Sequence, residues 1–535
     1  MSKHPPMIDQ AAVHAADRIR TEVFGFASWR GEQAAVINAL AAGQNVLTVM
    51  PTGMGKSLCY QVPARAYSEA RKAGAPGPSL VLVVSPLIAL MKDQVDAARA
   101  KGLRAAAINS SMSKQERDRV LEWTAGRLGD GKGGVREPIE ILYATPERFR
   151  QASFWEALRA GGGVRLLAID EAHCISTWGH DFRLDYSRLG ERRAELGNPQ
   201  TLALTATATR ETQADIIRQL SVSQEPSALA AFPAGPEKIW TSIVSSTWRP
   251  NLAVEVFETG GLDEKLRAFV LLRHMFAGPA IVYFSLIQTL KKFSGEIARL
   301  GFEHSIYHGQ LNDKVRRFNQ EDFIGGRSNL MLATPAFGLG IDKADVRLLV
   351  HAETPGSMES YYQEIGRAGR DGEAAKCAML FDPDDITIQN DFVKWSTPDP
   401  GFIQGVHNLI SRNEMRARQE GFDYLREQMN FYNKRDYRVE TSVNLLERWG
   451  ALEGREPRDW KIVGEIPEEF MDTAKFKANL KRREEKLTRL AGFFEQPVAS
   501  APCRLASIAV SFGEDVMVDG RSRRCGVCDA CLAIS

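Results

Sequence analysis

The chain has 535 residues, 44% of them hydrophobic and 25% charged, with a formal net charge of +1. At about 150 residues per domain, this length predicts three or four domains, each large enough for its own core. The composition is that of an ordinary soluble protein, no apolar run approaches the roughly 20 residues of a membrane span, and the first residues show no apolar signal core, so membrane and secreted classes are excluded and a cytoplasmic location is expected.

Short β-branched runs alternate with polar segments of helical period, the pattern of an α/β protein with buried parallel strands. The predicted strands in the first part are 46–50, 80–84, 139–144, 164–169 and 201–204, and a second series follows at 279–284, 329–333 and 347–350. The break between the two series predicts two parallel-sheet domains divided near 235–250. The glycine-rich stretches 73–79 and 129–134 are expected to be surface loops.

The first strand runs into Met50-Pro-Thr-Gly-Met-Gly-Lys-Ser. A glycine-rich turn between a strand and a helix starting at Lys56 would aim backbone N–H groups at phosphates, with Lys56 on the β/γ-phosphates and Ser57 on Mg²⁺. Met50 stands where such loops begin with glycine and is predicted to be the buried strand end, with Pro51 already fixing a backbone angle. The competing reading is a chance Gly-Lys-Ser at a helix start.

The strand 164–169 delivers Asp170 and Glu171 to its C-terminal edge, where ligands of open α/β sheets bind. Asp170 suits the magnesium and Glu171 suits the attacking water, although an Asp-Glu pair is also common at loop starts. Beyond them, Trp178, Phe182 and Tyr186 recur at four-residue spacing, interleaved with His180 and Arg183. Such rings can stack unpaired bases at about 1–3 kcal/mol each, with Arg183 for a phosphate. The alternative is an amphipathic helix with core aromatics.

In the second series, Arg367 and Arg370 lie three residues apart, so a helix would place both on one face toward a single anion. Further on, 435–466 combines an apolar-periodic helix, a glycine turn and a short β run. Residues 471–494 predict a long helix whose segment 475–489 is strongly basic, able to track duplex phosphates or simply to face solvent. Of seven cysteines, Cys503, Cys525, Cys528 and Cys531 have the spacing of a closed tetrahedral zinc site, against unliganded thiols or a redox pair, while Cys59, Cys174 and Cys377 are expected to be buried.

Taken in order, "WRGEQ" (29–33), "SPLIALMKDQV" (85–95), "YATPERF" (143–149), Asp-Glu-Ala-His (170–173), "LTATAT" (204–209), "YHGQL" (307–311), "ATPAFGLGIDKADVR" (333–347) and "YYQEIGRAGRDG" (361–372) resemble the motifs of superfamily-two helicases of the RecQ family over roughly residues 20–385. The resemblance implies two tandem RecA-like domains (1–240 and 241–390), a winged-helix-like segment (391–470) placed ahead of a helical zinc module (471–535), and ATP-dependent 3′-to-5′ unwinding of DNA in repair and recombination. It implies ATP contacts from Arg30, Gln33, Thr52, Gly53, Gly55, Lys56, Ser57, Asp342 and Gln363, with Gln33 reading adenine. Lys56, Asp170, Glu171, Arg367 and Arg370 carry hydrolysis in this reading, and the two arginines act as fingers across the domain cleft.

The resemblance further assigns Trp178, His180, Phe182 and Arg183 to DNA and Ser57 with Asp170 to Mg²⁺. The chain departs from the family's aromatic-rich loop at Thr177, Leu184 and Asp185, where Gln, Pro and Glu are usual. Single-stranded and duplex DNA are the implied partners, acting on a cytoplasmic, nucleoid-associated monomer. A DNA-dependent ATPase that does not unwind, and an RNA-dependent ATPase, are the alternatives.

Overall fold

The computed structural model describes residues 8–86, 88–129, 134, 136–176, 184–221, 239–338, 343–429, 436–454, 457–468, 471–519 and 521–533. Seven parallel strands form the first sheet: β1 (Asn45–Val49), β2 (Leu80–Val84), β3 (Ala105–Ile108), β4 (Ile141–Ala144), β5 (Val164–Ile169), β6 (Gln200–Thr205) and β7 (Trp240–Val244), in the order β3-β4-β2-β5-β6-β1-β7. Helices cover both faces, which explains why the central strands are buried along almost their whole length rather than on alternate residues. The parallel register aligns Val49 with Thr205 and Ala203 with Ile169, so the loops leaving β1, β5 and β6 open on one edge.

The second sheet is also parallel: β8 (Leu252–Glu258), β9 (Ala280–Tyr283), β10 (Ser305–Tyr307), β11 (Leu330–Ala333), β12 (Leu348–His351) and β13 (Ala375–Phe381), ordered β10-β11-β9-β12-β13-β8. The expected boundary after residue 240 cuts through β7, which pairs with β1 from Asn45↔Trp240 to Val49↔Val244. The first domain therefore extends through Val244. The bond from Ser245 N to Val49 O, 2.8 Å, closes that ladder immediately before the connection to β8.

Helices Pro400–Arg412, Glu414–Glu420, Phe422–Met429 and Arg438–Arg448 pack with a small antiparallel pair, β14 (Leu452–Glu453) and β15 (Lys461–Ile462), around the buried Trp460. The last part holds helix Thr473–Glu495, helix Arg504–Ser511 and a hairpin of β16 (Met517–Val518) and β17 (Arg521–Ser522). It is not a separate unit. Leu490, Phe494, Leu505, Ile508 and Cys528 share one continuous core with Leu252, Val254, Tyr361 and Met379 of the second sheet and its helices. Asp529 accepts from Val256 N at 3.1 Å, which satisfies an otherwise open donor of edge strand β8.

Candidate active site

The loop after β1 answers the question of Met50. Met50 is fully buried, its N–H continues the ladder to Thr205 O at 2.9 Å, and its carbonyl accepts from Lys56 Nζ at 3.0 Å. Gly53 and Gly55 have φ of +83° and +74°, a region that L side chains rarely adopt. The regular helix begins at Leu58 rather than Lys56, leaving Lys56 and Ser57 in the turn. Gln33, buried on the first turn of helix Gln33–Ala41, braces this loop: its Nε2 donates to Met54 O and Gly55 O, both at 3.0 Å, and its Oε1 accepts from Arg30 N at 2.9 Å. The side chain of Arg30 is exposed.

Asp170 and Glu171 emerge beside Lys56 on the same edge. Burial and the neighbouring Glu171 push the Asp170 carboxyl up to about 7, with Lys56 opposing, while burial lowers Lys56. Glu171 is held at φ +49°, a strained backbone for a non-glycine residue, of the kind that clusters at functional sites. Its Oε2 is buried and accepts no hydrogen bond from the described residues, with His173 Nδ1 3.3 Å away. The hydroxyl of Ser57 with the carboxylate of Asp170 is a donor set suited to Mg²⁺.

The Asp-Glu-Ala-His and Leu-Thr-Ala-Thr-Ala-Thr stretches are wired together. His173 Nδ1 lies 2.9 Å from Thr205 Oγ1, and Thr207 N donates to that same oxygen at 3.2 Å. Ser176 Oγ donates to Asp215 of helix Arg210–Leu220 at 2.6 Å, and Tyr186 Oη donates to Asp170 O at 3.0 Å. Ser176 and Tyr186 flank the aromatic-rich segment. Trp178, His180, Phe182 and Arg183 themselves, like Asp342, lie outside the described residues. Tyr186 corrects the four-residue aromatic pattern: it is fully buried against the Asp170 strand and is no stacking surface.

Periodicity missed two further residues at this root. Arg150 donates to Asp185 Oδ1 through Nε at 2.8 Å and to Glu447 Oε1 through Nη1 at 2.7 Å. Helix Arg438–Arg448 is thereby tied to the end of the aromatic segment. The spacing of charges alone could not show it, because 297 residues separate Arg150 from Glu447.

Across the cleft, the two arginines do not share a helical face. Helix Met358–Ile365 ends at Gly366, and Arg367 and Arg370 follow in a turn that uses Gly369 at φ +54°. Arg367 is buried within the second domain, so close to Gly338 that a β-carbon there would sit 2.4 Å from its Nη2. Arg370 instead reaches the phosphate loop and lies against Gly53, while Gly366 faces Thr52 Oγ1. Gln363 is half-buried on the same helix.

At the far end, the ligand atoms of Cys503, Cys525, Cys528 and Cys531 lie within 4.8 Å of one another. Cys525 N donates to Cys503 Sγ and Cys528 N to Cys525 Sγ, each at 3.3 Å, as suits thiolates. The sulfurs of Cys525 and Cys531 are 3.9 Å apart, close to the roughly 3.8 Å edge of a tetrahedron with ~2.3 Å metal–sulfur bonds. Arg504 and Asp529, next to two of these cysteines, form a buried pair at 3.0 Å. On helix Thr473–Glu495, Lys477, Lys481, Arg482 and Arg489 are exposed, whereas Arg483 turns inward to Thr397 Oγ1 at 3.0 Å and Lys486 to Glu359 at 3.2 Å.

A DEAD/DEAH box helicase model matches residues 30–216, and a helicase conserved C-terminal domain model matches 263–372. The probable ATP-dependent DNA helicase RecS of Bacillus subtilis (strain 168) is 36% identical over 406 residues, 76% of this chain and 74% of that protein. The ATP-dependent DNA helicase RecQ of the same organism is 39% identical, and this chain spans 62% of its length. The ATP-dependent DNA helicase RecQ of Synechocystis sp. (strain ATCC 27184 / PCC 6803 / Kazusa) is 31% identical over 98% of this chain and 99% of its own. Among solved structures, the DUF1998 helicase MrfA bound to DNA and AMPPNP superposes with a TM-score of 0.51 at 20% identity, over 72% of this chain and 52% of that one, a likeness of fold. With a cross-domain arginine on its phosphate loop and a likeness to one relative that runs almost end to end, the chain belongs to the RecQ family of ATP-dependent DNA helicases.

Proposed function

We propose that this helicase couples ATP hydrolysis to 3′-to-5′ movement on single-stranded DNA and separates duplex as a monomer, serving DNA repair and recombination in the cytoplasm, on the nucleoid. The observation that carries the reading is the meeting of Arg370 with Gly53 and of Gly366 with Thr52 across the cleft. Lys56 and Arg370 would hold the β- and γ-phosphates from opposite domains, and Glu171 would orient the attacking water. Mg²⁺ bound by Ser57 and Asp170 would neutralise charge on the phosphate oxygens. Movement between the domains then becomes movement along the strand.

Trp178, His180, Phe182 and Arg183 form the DNA-sensing segment in this reading. What supports it is the anchoring of both flanks, Ser176 on the helix after the Leu-Thr-Ala-Thr-Ala-Thr stretch and Tyr186 on the Asp170 carbonyl. The helical region 400–466, with its β14–β15 pair, serves as the winged-helix-like duplex contact, and Zn²⁺ at the four cysteines holds the last module in shape.

Strand displacement on duplexes with a 3′ or a 5′ single-stranded tail, with ATPase followed under DNA and under RNA, tests the proposal. Displacement from the 3′ tail alone is expected. DNA-stimulated hydrolysis without displacement would make the chain a translocase or switch, and stimulation by RNA in place of DNA would overturn the substrate assignment.

A further inference from the structure

The segment that joins the two sheet domains is gripped from the zinc module. Ser246 Oγ donates to Glu514 Oε2 at 2.8 Å and accepts from Trp248 N at 3.1 Å, and Thr247 N donates to Glu514 Oε1. The carbonyl of Thr247 accepts from Tyr362 Oη at 3.2 Å, on the helix that precedes Arg367 and Arg370. One hinge residue is thus held by its N–H from the zinc module and by its C=O from the helix that leads into the two arginines. Arg523 stacks over the ring of Trp248 at 4.1 Å, and Phe512 packs on Tyr362 with ring centroids 5.0 Å apart.

The same short stretch also touches the first domain. Gly513, next to Glu514, has φ +80°, and a β-carbon there would lie 2.6–2.8 Å from the side chain of Arg210. Arg210 is the first residue of the helix that follows Thr209. Residues 512–514 therefore meet the first domain, the linker and the second domain at once. A buried or half-buried carboxylate that receives a backbone N–H makes one of the stronger hydrogen bonds available. Without it, the linker peptide regains rotational freedom at the pivot of the cleft.

We propose that Glu514 is a positioning residue for hydrolysis: by fixing Ser246 and Thr247 it sets the approach of Arg370 to the phosphate loop. The proposal rests on the reading of Arg370 as the residue that completes the ATPase site. An arginine displaced by about 1 Å can forfeit of order a hundredfold in rate, so a small loss of hinge definition is enough to be measured.

The experiment uses the full chain and compares Glu514→Ala, Glu514→Gln, Ser246→Ala and Arg370→Ala. It reads kcat and KM for ATP with saturating single-stranded DNA, bound zinc, and domain closure by energy transfer between dyes on the two domains with a non-hydrolysable ATP analogue. Glu514→Ala is expected to lose at least fivefold in kcat, with KM and bound zinc unchanged within twofold and with incomplete closure. Glu514→Gln, which keeps an acceptor oxygen, should recover at least half of the rate, and Ser246→Ala should lose about twofold.

Wild-type kcat and closure in Glu514→Ala would overturn the proposal. Should that variant lose its zinc, Ser246→Ala decides alone, since Ser246 is exposed and outside the module; wild-type rate and closure there would overturn it equally. Wild-type turnover in Arg370→Ala would instead bring down the reading of the active site.

Discussion

Arg370 of the second domain packs on Gly53 of the first: a β-carbon at Gly53 would stand 3.4 Å from Arg370 Cδ. The contact joins the residue that would stabilise charge developing on the transferred phosphate to the loop that would hold it. Arg370→Ala is expected to lower kcat by about 10³-fold or more with KM for ATP little changed. Arg370→Lys should rescue little of this, because an ammonium lacks the planar fork of donors. Steady-state ATPase with saturating DNA checks both.

Lys56→Ala and Glu171→Gln should each nearly abolish turnover, for different reasons. In the proposed site Lys56 would neutralise phosphate charge, so its loss should weaken nucleotide binding as well. Glu171→Gln keeps the shape of the site and should bind ATP close to normally while failing to activate water. Titration with a fluorescent nucleotide, run beside the ATPase assay, separates the two outcomes.

Asp170 predicts a stability change with a definite sign. Burial, and after it the neighbouring Glu171, push its carboxyl well above the ordinary 3.8, toward about 7, so the folded state penalises the ionised form. Between about pH 4 and 7 the folded state keeps a proton that the unfolded chain has released, and this site's contribution to stability falls as pH rises through that window. Metal-free Asp170→Asn is therefore expected to be more stable than wild type above pH 7, by about 1–3 kcal/mol, with the gap closing toward pH 4. Denaturant midpoints across that range measure it, and a gap that widened in acid would contradict the assignment.

Tyr186→Phe removes a single donor from the Asp170 carbonyl, a change of about 1 kcal/mol. Basal hydrolysis should survive it, while the stimulation by single-stranded DNA drops several-fold. Glu447→Gln, which weakens the Arg150 bridge to helix Arg438–Arg448, should act on the same ratio but only with duplex-containing substrates. Comparing the ratio on single strands and forked duplexes distinguishes the two routes.

Chelation of zinc, or Cys528→Ser, should unsettle more than the last module. The core that contains Cys528 and Ile508 is continuous with Tyr361 and Met379 of the second sheet domain. A thermal scan is expected to show the second domain melting earlier, and proteolysis should open near helix Thr473–Glu495. Loss of metal with no change in either would show that the cysteines contribute nothing to this core.

A strand rich in Val and Leu, such as β2, was legible because burial on both faces leaves a continuous apolar run. β3 was not, since Ala-Ala-Ala-Ile has the composition of a helix and becomes a strand through pairing with β4. β7 was hidden by its half-exposed edge position, which admits Thr and Ser. At the site, the glycine turn after β1 and the placement of Asp170 and Glu171 beside Lys56 followed from local chemistry. The separate fates of Arg367 and Arg370 did not, because glycines that end the helix cancel the period assumed for it. Tyr186 misled for a related reason: spacing shows which residues could share a face but not whether that face meets solvent or core.

The hydrogen bond from Ser245 to Val49 has a mechanical meaning. The strand that carries the phosphate loop and the strand that leads into the connection between domains are neighbours in one ladder, and the connection starts within one residue of its end. A pull on that connection therefore meets, at its first residue, the strand from which the glycine turn springs. In the proposed cycle, rotation of the second domain would act first on that strand, as a crank acts on the shaft it is keyed to.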